Sequence, residues 1–571
     1  MTPHRPLLKF AFYYKVLSMT FSDFGAAATA KIMEAAAPPP TGASGDPSNT
    51  LARAILLHAL LLGVAADALL RDGPAGIGFT IWISLVALGA RALCRRAERS
   101  MSREAAAWLA TAVLFSFGLA WRDSSALGFI DFLVTVAALG MAAVAISDED
   151  AALFAGRLRD TVWAGFAIIA SVASGILPLA WRELFASRTR QRPGLRFVAI
   201  ARAAMIAGLL VFVFGSLLRS ADPIFASLVT MPDLDFGRLV SHLLMIGLFT
   251  WIVGGWARGA LLDGATKHRP PDALPFQLGM LDVTTALVTL NLLFGVFVLS
   301  QLGWFFGGEE FLRARTGLSA AQYARQGFFQ MVWVIVLVVP LIMATRAALG
   351  PGAELRRRHG MLSLPLIALL GAILFSVVAR MRLYVQYYGL TTDRFYPLAL
   401  MGWLAFVLVW LALTVLRDRG RRFVGGAVIS GLIALAILNA IAPDAIVARV
   451  NVARASRAVA GAQPALDFGH LALLSGEAVP IAVAAILAPS RAAHDVATGT
   501  STELDRCQAA RVLLRRWGPS SSAASRARGE TAWRTWNAGN RNAIAAVGAR
   551  AAELRAVGGR CRLARPSAAR D

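Results

Sequence analysis

The chain has 571 residues, 57% of them hydrophobic, and its 57 Lys and Arg outnumber its 34 Asp and Glu to give a formal net charge of +23. A water-soluble protein cannot bury so large an apolar fraction, and 31 Phe with 14 Trp exclude a disordered chain. With three Cys the chain is not a disulfide-rich secreted scaffold either. The composition indicates a polytopic membrane protein.

Residues 1–50 differ in composition from the rest of the chain. The aromatic run Phe10–Tyr14 is followed at once by Lys15, and the Pro- and Gly-rich stretch Ala37–Gly45 is typical of a linker. We expect residues 1–50 to form a flexible N-terminal extension on the cytoplasmic side.

Between residues 51 and 442, apolar stretches of about 16–26 residues alternate with short polar loops, and each stretch approaches or exceeds a hydrocarbon core of about 30 Å. Backbone groups cannot stay unpaired in lipid, so these stretches must be helices. They lie at 51–70, 76–93, 106–120, 126–146, 161–181, 197–217, 239–256, 281–306, 328–347, 362–379, 398–416 and 423–442. We predict an all-α, polytopic transmembrane helix bundle of eleven or twelve spans with the lipid bilayer as its first partner.

Basic residues concentrate in loops that are two spans apart, which the positive-inside rule places in the cytoplasm. These loops contain Arg182–Arg196, Arg258–Arg269, Arg346–Arg358 and Arg417–Arg422. The basic loop Arg91–Arg103 falls on the opposite face if all twelve stretches cross. The short stretch 106–120 is therefore interpreted as re-entrant. Eleven crossings then place the N-terminus inside and the C-terminus outside.

The C-terminal part, residues 443–571, has Arg every few residues and few aromatics, which predicts a small soluble helical tail. The stretch 471–488 is apolar enough to resemble a span, but it contains Glu477, so we interpret it as a helix within the tail or on the membrane surface. In a tail outside the cytoplasm, Cys507 and Cys561 can form a disulfide.

Three alternate loops are rich in polar and aromatic residues: Ser220–Phe225, Tyr323–Phe329 and Met381–Tyr396. They and the tail are separated by two spans each, so they share one face whichever way the protein is inserted.

At these motifs the chain resembles a family of bacterial multi-pass membrane proteins known as domain of unknown function 4173, which has a close relative numbered 4153. The likeness covers roughly 51–540, and its further markers are Asn291–Gln301, Asn451–Arg454, Leu466–Leu471, Ala478–Pro480 and Trp533–Asn537. His470 and the pair Gly476-Glu477 depart from the family pattern, so no catalytic role is carried over to that motif. The resemblance implies an integral membrane protein of the bacterial envelope and brings no established activity.

The candidate binding residues lie in the shared loops. They are Asp222, Tyr323, Arg325, Arg382, Tyr384, Gln386, Tyr388 and Arg394. Arginine is suited to bidentate contact with phosphate or carboxylate, so these residues can form a pocket for an anionic headgroup or a saccharide. The alternatives are interfacial anchoring by the tyrosines, a structural network among the charges, and a turn with a helix N-cap at Gly389–Asp393.

Polar residues within the predicted spans include Asp131, His242, Asn291 and Gln301. Such residues are functional candidates by default, although Asn291 can equally serve an interhelical hydrogen bond. Their convergence on one cavity would indicate a transport pathway.

Searches for familiar catalytic motifs are negative. The His residues have no metal-ligand spacing, no phosphate-binding loop ends in Gly-Lys-Ser/Thr, and no Gly-x-Ser-x-Gly elbow is present, so we expect no metal and no cofactor. No basic stripe is interleaved with aromatics, so nucleic acid is not an expected partner.

Three functional hypotheses remain. The first is a non-enzymatic envelope component that binds a lipid, a glycan precursor or a membrane partner protein. The second is a small-molecule or ion transporter. The third is a membrane-embedded transferase that uses Arg382, Arg394 and Asp222 around a lipid-linked donor.

Overall fold

The computed structural model describes residues 47–71, 73, 76–147, 158–179, 207, 210, 211, 214, 215, 218, 236–263, 279–316, 328–349, 352–416, 421–457, 466–489, 496–529 and 532–562. These residues form helices and turns and contain no strand, which confirms the all-α prediction. The predicted extension 1–50, apart from the start of the first helix, and most of the stretch 197–217 lie outside the described residues.

Eleven helices of the described residues precede the tail. They are α1 (Pro47–Leu70), α2 (Ile77–Arg96), α3 (Arg103–Trp121), α4 (Ser125–Ser147), α5 (Leu158–Ser174), α6 (Phe236–Arg258), α7 (Met280–Thr316), α8 (Phe328–Ala348), α9 (Ala353–Tyr388), α10 (Thr392–Leu416) and α11 (Arg421–Ile441). A π-helical turn, Gly259–Asp263, continues α6. All except α5 are long and apolar enough to cross a membrane, so the described residues contain ten candidate spans.

Two apolar cores hold the bundle together. Helices α1 to α6 pack around fully buried side chains such as Ile55 and Ile83, and α7 to α11 pack around Leu287, Ile335 and Leu370. A small cluster of α3, α4 and α11 side chains lies between the two cores. On the outer surface, many large apolar side chains remain exposed, as expected for helices in contact with lipid.

The helix ends define two ends of the bundle. Arg122, just after α3, donates hydrogen bonds to the carbonyls of Asn439 (2.6 Å) and Ala440 (2.8 Å) at the end of α11, and Ser124 at the start of α4 is 2.9 Å from the Tyr396 hydroxyl of α10. We call this the tail end. At the other end, the Ser102 hydroxyl before α3 contacts the carbonyl of Ala145 near the end of α4 (3.4 Å). We call that the basic end.

Helix α3 is a full-length helix of 19 residues, so the prediction of a re-entrant segment at 106–120 is wrong. Ser102 caps its N-terminus by accepting a hydrogen bond from the N–H of Ala105 (3.1 Å). The helix extends on both sides of the predicted stretch because this cap and the adjoining polar residues continue its hydrogen bonding.

The stretch 161–181, predicted as a span, is instead interrupted. Helix α5 ends at Ser174, where Gly175 adopts a left-handed conformation (φ 60°). It runs antiparallel to α6, with Gly259 facing Ile168 and the Trp251 indole donating to the carbonyl of Val172 (3.1 Å). Trp251 is seven residues before the end of α6, or roughly 10 Å along a helix, so α5 reaches only partway across the bundle.

The described part of the tail contains seven helices of 5 to 22 residues. They are α12 (Pro443–Arg457), α13 (Phe468–Leu473), α14 (Val479–Leu487), α15 (Val496–Trp517), α16 (Ser522–Arg526), α17 (Ala538–Ala549) and α18 (Ala551–Gly559), with 3-10 turns at Gly476–Ala478 and Arg560–Arg562. The stretch 471–488 packs inside the tail, where Leu471 and Ile486 are fully buried together with Leu513 and Leu554. A disulfide joins Cys507 to Cys561, whose Cα atoms are 5.6 Å apart.

Candidate functional site

The segment Met381–Tyr396, predicted as a loop, is mostly helical. Helix α9 continues past the predicted span 362–379 because residues 380–388 contain neither Pro nor Gly. Gly389 has φ 78° and donates its N–H to the carbonyl of Val385 (2.9 Å), and the carbonyl of Thr391 accepts hydrogen bonds from the N–H groups of Arg394 and Phe395 at the start of α10. The site is therefore a tight turn between two helices at the tail end.

Arg394 and two tyrosines form a stack on this turn. The guanidinium of Arg394 lies 4.2 Å from the ring centroid of Tyr384 and 5.8 Å from that of Tyr388, and the two rings are 5.1 Å apart. Arg394 also donates to the carbonyl of Gly389. Tyr388 is 57% exposed, so the stack presents an aromatic face and a cation at the surface.

Helix α12 of the tail clamps the same turn. Asn451 donates to the carbonyl of Leu390 (2.6 Å) and accepts from its N–H (2.9 Å), while Arg454 reaches the carbonyl of Gln386 (3.5 Å). A Cβ at Gly389 would lie 2.7 Å from the Arg454 guanidinium and 2.9 Å from Asn451, so only glycine fits here. The tail thereby fixes the geometry of the stack.

The other predicted binding residues lie either beside the stack or outside the described part of the chain. Arg382 and Gln386 are exposed and lie one turn apart on α9, on the same side of the helix. Asp222, Tyr323 and Arg325 lie outside the described residues. The structure thus brings Tyr384, Tyr388 and Arg394 into contact and leaves Arg382 and Gln386 on the adjoining surface.

The intramembrane polar residues do not converge. Asp131 accepts from Asn439 of α11 (2.9 Å), and His242 contacts Asp67 of α1 (2.6 Å), which also binds Arg71. Each pair joins a different pair of helices.

The other two polar residues lie on α7. Asn291 donates to the carbonyl of Leu362 on α9 (3.0 Å), and Gln301 accepts from Ser376 (2.9 Å) and from the buried Arg380. Across the residues that the structure describes, these contacts are interhelical ties and not the lining of a shared path.

An acidic cluster of one buried and two half-buried carboxylates, which the sequence did not predict, joins the bundle to the tail. Asp123 accepts from the N–H of Gly476 (2.9 Å), and its own N–H donates to Glu477 (2.6 Å). Ser475 donates its hydroxyl to Glu477 and its N–H to Asp444 (3.1 Å). Three carboxylates thus meet on one short loop of the tail.

Burial sets the protonation of this cluster. It raises the pKa of Asp123 to about 6, with the Glu477 charge adding to the shift and the Gly476 N–H opposing it. Burial also raises the pKa of Asp444, against the hydrogen bonds from Ser475. Backbone N–H groups and the Ser475 hydroxyl donate the hydrogen bonds that hold the cluster together. These contacts attach the tail to the bundle.

The Trp533–Asn537 motif makes a second contact between tail and bundle. Asn537 caps α17 by accepting from the N–H of Asn540 (2.9 Å), and it donates to the carbonyls of Leu119 (2.8 Å) and Arg122 (2.7 Å) at the end of α3. Nothing in the local sequence of this motif indicates the distant helix that it binds.

The match to a family model covers most of this architecture. A family model described as Domain of unknown function (DUF4153) matches residues 109–485, roughly two thirds of the chain. The chain belongs to the DUF4153 family. The matched family is thus the close relative, numbered 4153, of the family that the motifs first suggested. No curated protein matches the chain, and no solved structure matches it.

The DUF4153 match contains both parts of the site. It spans the stack at Gly389 and the acidic cluster of Asp123, Asp444 and Glu477, and it ends before the Trp533–Asn537 motif. Over the described part of this DUF4153 chain, no group of three or more His, Cys, Asp or Glu is arranged to hold a metal ion.

Proposed function

We propose that this DUF4153 protein is a bacterial inner-membrane protein that binds the phosphate-bearing headgroup of a lipid or lipid-linked precursor at the tail end. The observation that carries the proposal is the stack of Arg394 on Tyr384 and Tyr388. A guanidinium held in place by two rings and a carbonyl loses little further freedom on binding an anion, and its remaining N–H groups suit phosphate.

The position of the stack along α9, just beyond the apolar stretch, supports a membrane ligand. Helix α9 has 36 residues, about 54 Å at 1.5 Å per residue, which exceeds a hydrocarbon core of about 30 Å. Its last turns follow the apolar stretch 362–379 and carry Arg382 and Tyr388. Aromatic rings with polar tips are favoured in the headgroup layer, and a lipid phosphate lies in the same layer.

The proposed orientation places the basic end in the cytoplasm and the tail outside. Basic residues of the described chain at the basic end are Arg91, Arg95, Arg96, Arg99, Arg103, Arg258, Arg346, Arg356, Arg357, Arg358 and Arg422. In the short loops that join spans, an excess of Arg marks the cytoplasmic side, and the long Arg-rich tail lies outside that count. The Cys507–Cys561 disulfide favours an oxidising compartment over the cytoplasm, where disulfides are rare.

Transport and group transfer have less support. The four intramembrane polar residues pair off separately, whereas a transport path needs them to meet. The carboxylates of the acidic cluster accept hydrogen bonds that dock the tail, whereas a transferase needs a carboxylate facing its substrate.

The test is native mass spectrometry of the full-length protein purified in a mild detergent. We expect a co-purifying anionic lipid to be lost in Arg394→Ala and weakened in Arg382→Ala. Arg394→Lys, which keeps the charge but not the planar fork, should bind less well than the wild type.

Arg449→Ala provides the matched control, because Arg449 is an exposed arginine of α12 outside the stack. It should retain the lipid. Equal lipid retention by Arg394→Ala and Arg449→Ala would contradict the proposed binding function.

A further inference from the structure

A second candidate site lies at the basic end, away from the stack. An open cavity of about 280 Å³ lies between the last turns of α2 and the loop that leads into α3. Arg91, Arg95 and Arg99 line it together with Ser100, and Cys94 and Met101 form its apolar part. The cavity thus combines three cations and a hydroxyl with an apolar floor.

The fold brings the three arginines together. Arg91 and Arg95 are one turn apart on the same side of α2. After the helix, Glu98 adopts a left-handed conformation (φ 54°) and the N–H of Arg99 returns to the carbonyl of Cys94 (3.0 Å). This reversal places Arg99 beside the two helical arginines. The convergence is therefore a product of the local backbone.

The charges of these arginines are not balanced within the described chain. In the parts that the structure describes, no carboxylate lies within ion-pair distance of Arg91, Arg95 or Arg99. Three neighbouring guanidinium groups repel one another, and a bound anion relieves that repulsion. A phosphate group, which arginine binds through paired N–H donors, fits this requirement.

The surroundings favour a lipid as the source of the phosphate. Leu88 lies three residues before Arg91 on the same side of α2 and is 64% exposed, so the helix face changes from apolar to basic towards the cavity. The cavity is also smaller than the usual range for a whole small-molecule ligand, which starts at about 300 Å³. It has room for a headgroup, while an acyl chain can lie along Leu88.

We propose that this cavity binds the phosphate of an anionic phospholipid from the adjacent leaflet. Basic pockets of this kind beside membrane helices recognise anionic headgroups. The proposal concerns the face opposite the Arg394 stack and does not depend on ligand binding there.

The test is a titration of the full-length protein with dioleoylphosphatidylglycerol in neutral detergent, read by native mass spectrometry. It is performed in the Arg394→Ala background so that the stack does not contribute. We expect the double variant Arg91→Gln/Arg95→Gln to weaken lipid binding roughly tenfold or more. Both side chains are exposed, so the variant should melt at the same temperature as its parent without lipid.

The matched control is Arg96→Gln/Arg103→Gln, which removes two positive charges from the same end but from residues that do not line the cavity. It should bind lipid like its parent. If the two double variants lose affinity equally, the attraction is diffuse and the proposed site is overturned.

Separate titrations with inorganic phosphate and with dioleoylphosphatidylcholine identify the source. Weak binding of both supports the anionic lipid. Tight binding of inorganic phosphate that displaces the phosphatidylglycerol and is lost in Arg91→Gln/Arg95→Gln would overturn the lipid source and assign the cavity to a soluble phosphate compound.

Discussion

Asp123 and Glu477, 354 positions apart in the chain, are joined by a hydrogen bond from the backbone N–H of Asp123 to Oε1 of Glu477 at 2.6 Å. The N–H of Gly476 returns a hydrogen bond to the Asp123 carboxylate. The pair is reciprocal, so the loop after α13 and the turn between α3 and α4 hold each other in place. The tail is consequently docked on the bundle by buried polar contacts.

Replacing Glu477 should loosen the tail. Glu477→Ala leaves the half-buried N–H of Asp123 without its protein acceptor, at a cost of about 1 kcal/mol. Glu477→Gln retains an acceptor oxygen and should be much milder. Limited proteolysis of the tail and thermal unfolding measure the change. Glu553→Ala, at an exposed ion pair with Arg550, is the control, and an equally large effect there would refute the docking role.

Docking should depend on pH. The pKa of Asp123 is raised from 3.8 to about 6, so the folded protein binds this proton more tightly than the unfolded chain does. Its contribution is fully present below the unfolded pKa and is lost as the pH rises through about 6. Thermal stability should therefore increase from about pH 8 to about pH 5. In Asp123→Asn that increase should shrink, and an unchanged pH profile would contradict the assignment.

Removing the disulfide should destabilise the tail. Cys507 and Cys561 are separated by 54 positions, and opening a loop of that length typically costs about 2–4 kcal/mol. Cys507→Ala/Cys561→Ala should lower the melting temperature, and reductant should affect the wild type but not the variant. Cys94→Ala serves as the cysteine control. Reaction of all three thiols with maleimide in unfolded, unreduced protein would show that the bond is absent.

Gly118 of α3 leaves room for the hydrogen bond between Asp131 of α4 and Asn439 of α11. A Cβ on Gly118 would lie 2.8 Å from Cγ of Asp131 and 3.2 Å from Oδ1 of Asn439. Gly118→Ala should therefore separate that pair and destabilise the bundle by about 1–3 kcal/mol. Gly128→Ala is the control, because its Cβ meets nothing within 4 Å. Similar melting temperatures for both variants in detergent would rule out the steric explanation.

The proposed orientation predicts which sites react from outside the cell. Introduced by Glu98→Cys and Glu553→Cys, thiols occupy exposed positions at the basic end and in the tail. A membrane-impermeant maleimide should label Glu553→Cys in intact spheroplasts and Glu98→Cys only after permeabilisation. The reverse pattern would invert the orientation.

The membrane helices were largely predictable because an apolar stretch of sufficient length has only a helical solution in lipid. The exception is the stretch 161–181, because hydropathy does not show where a helix ends within an apolar stretch. The stretch 161–181 is as apolar as its neighbours, yet α5 stops at Gly175 against the side chain of Trp251 on another helix. Gly175 and Pro178 are local stop signals that a hydropathy reading overlooks, and the packing of Trp251 against Gly175 is a tertiary contact.

Part of the site was predictable from the sequence: the stack on the Gly389 turn was, and the acidic cluster was not. Tyr384, Tyr388 and Arg394 lie within eleven residues of sequence, so their proximity follows from two helices and a glycine turn. Asp123, Asp444 and Glu477 each resemble an ordinary acidic residue beside a helix end. Only the docking of the tail, which joins segments hundreds of residues apart, reveals that they form one cluster.

The contacts at the start of α2 bear on how the protein is made. The N–H groups of Ile77 and Gly78 donate to the carbonyls of Trp536 (3.1 Å) and Arg534 (2.9 Å). The first N–H groups of a helix have no partner within it. During synthesis, the first two N–H groups of α2 therefore meet these acceptors only after the Trp533–Asn537 segment, hundreds of residues later, has been translated. Termination of translation before the Trp533–Asn537 segment would remove both acceptors from the start of α2.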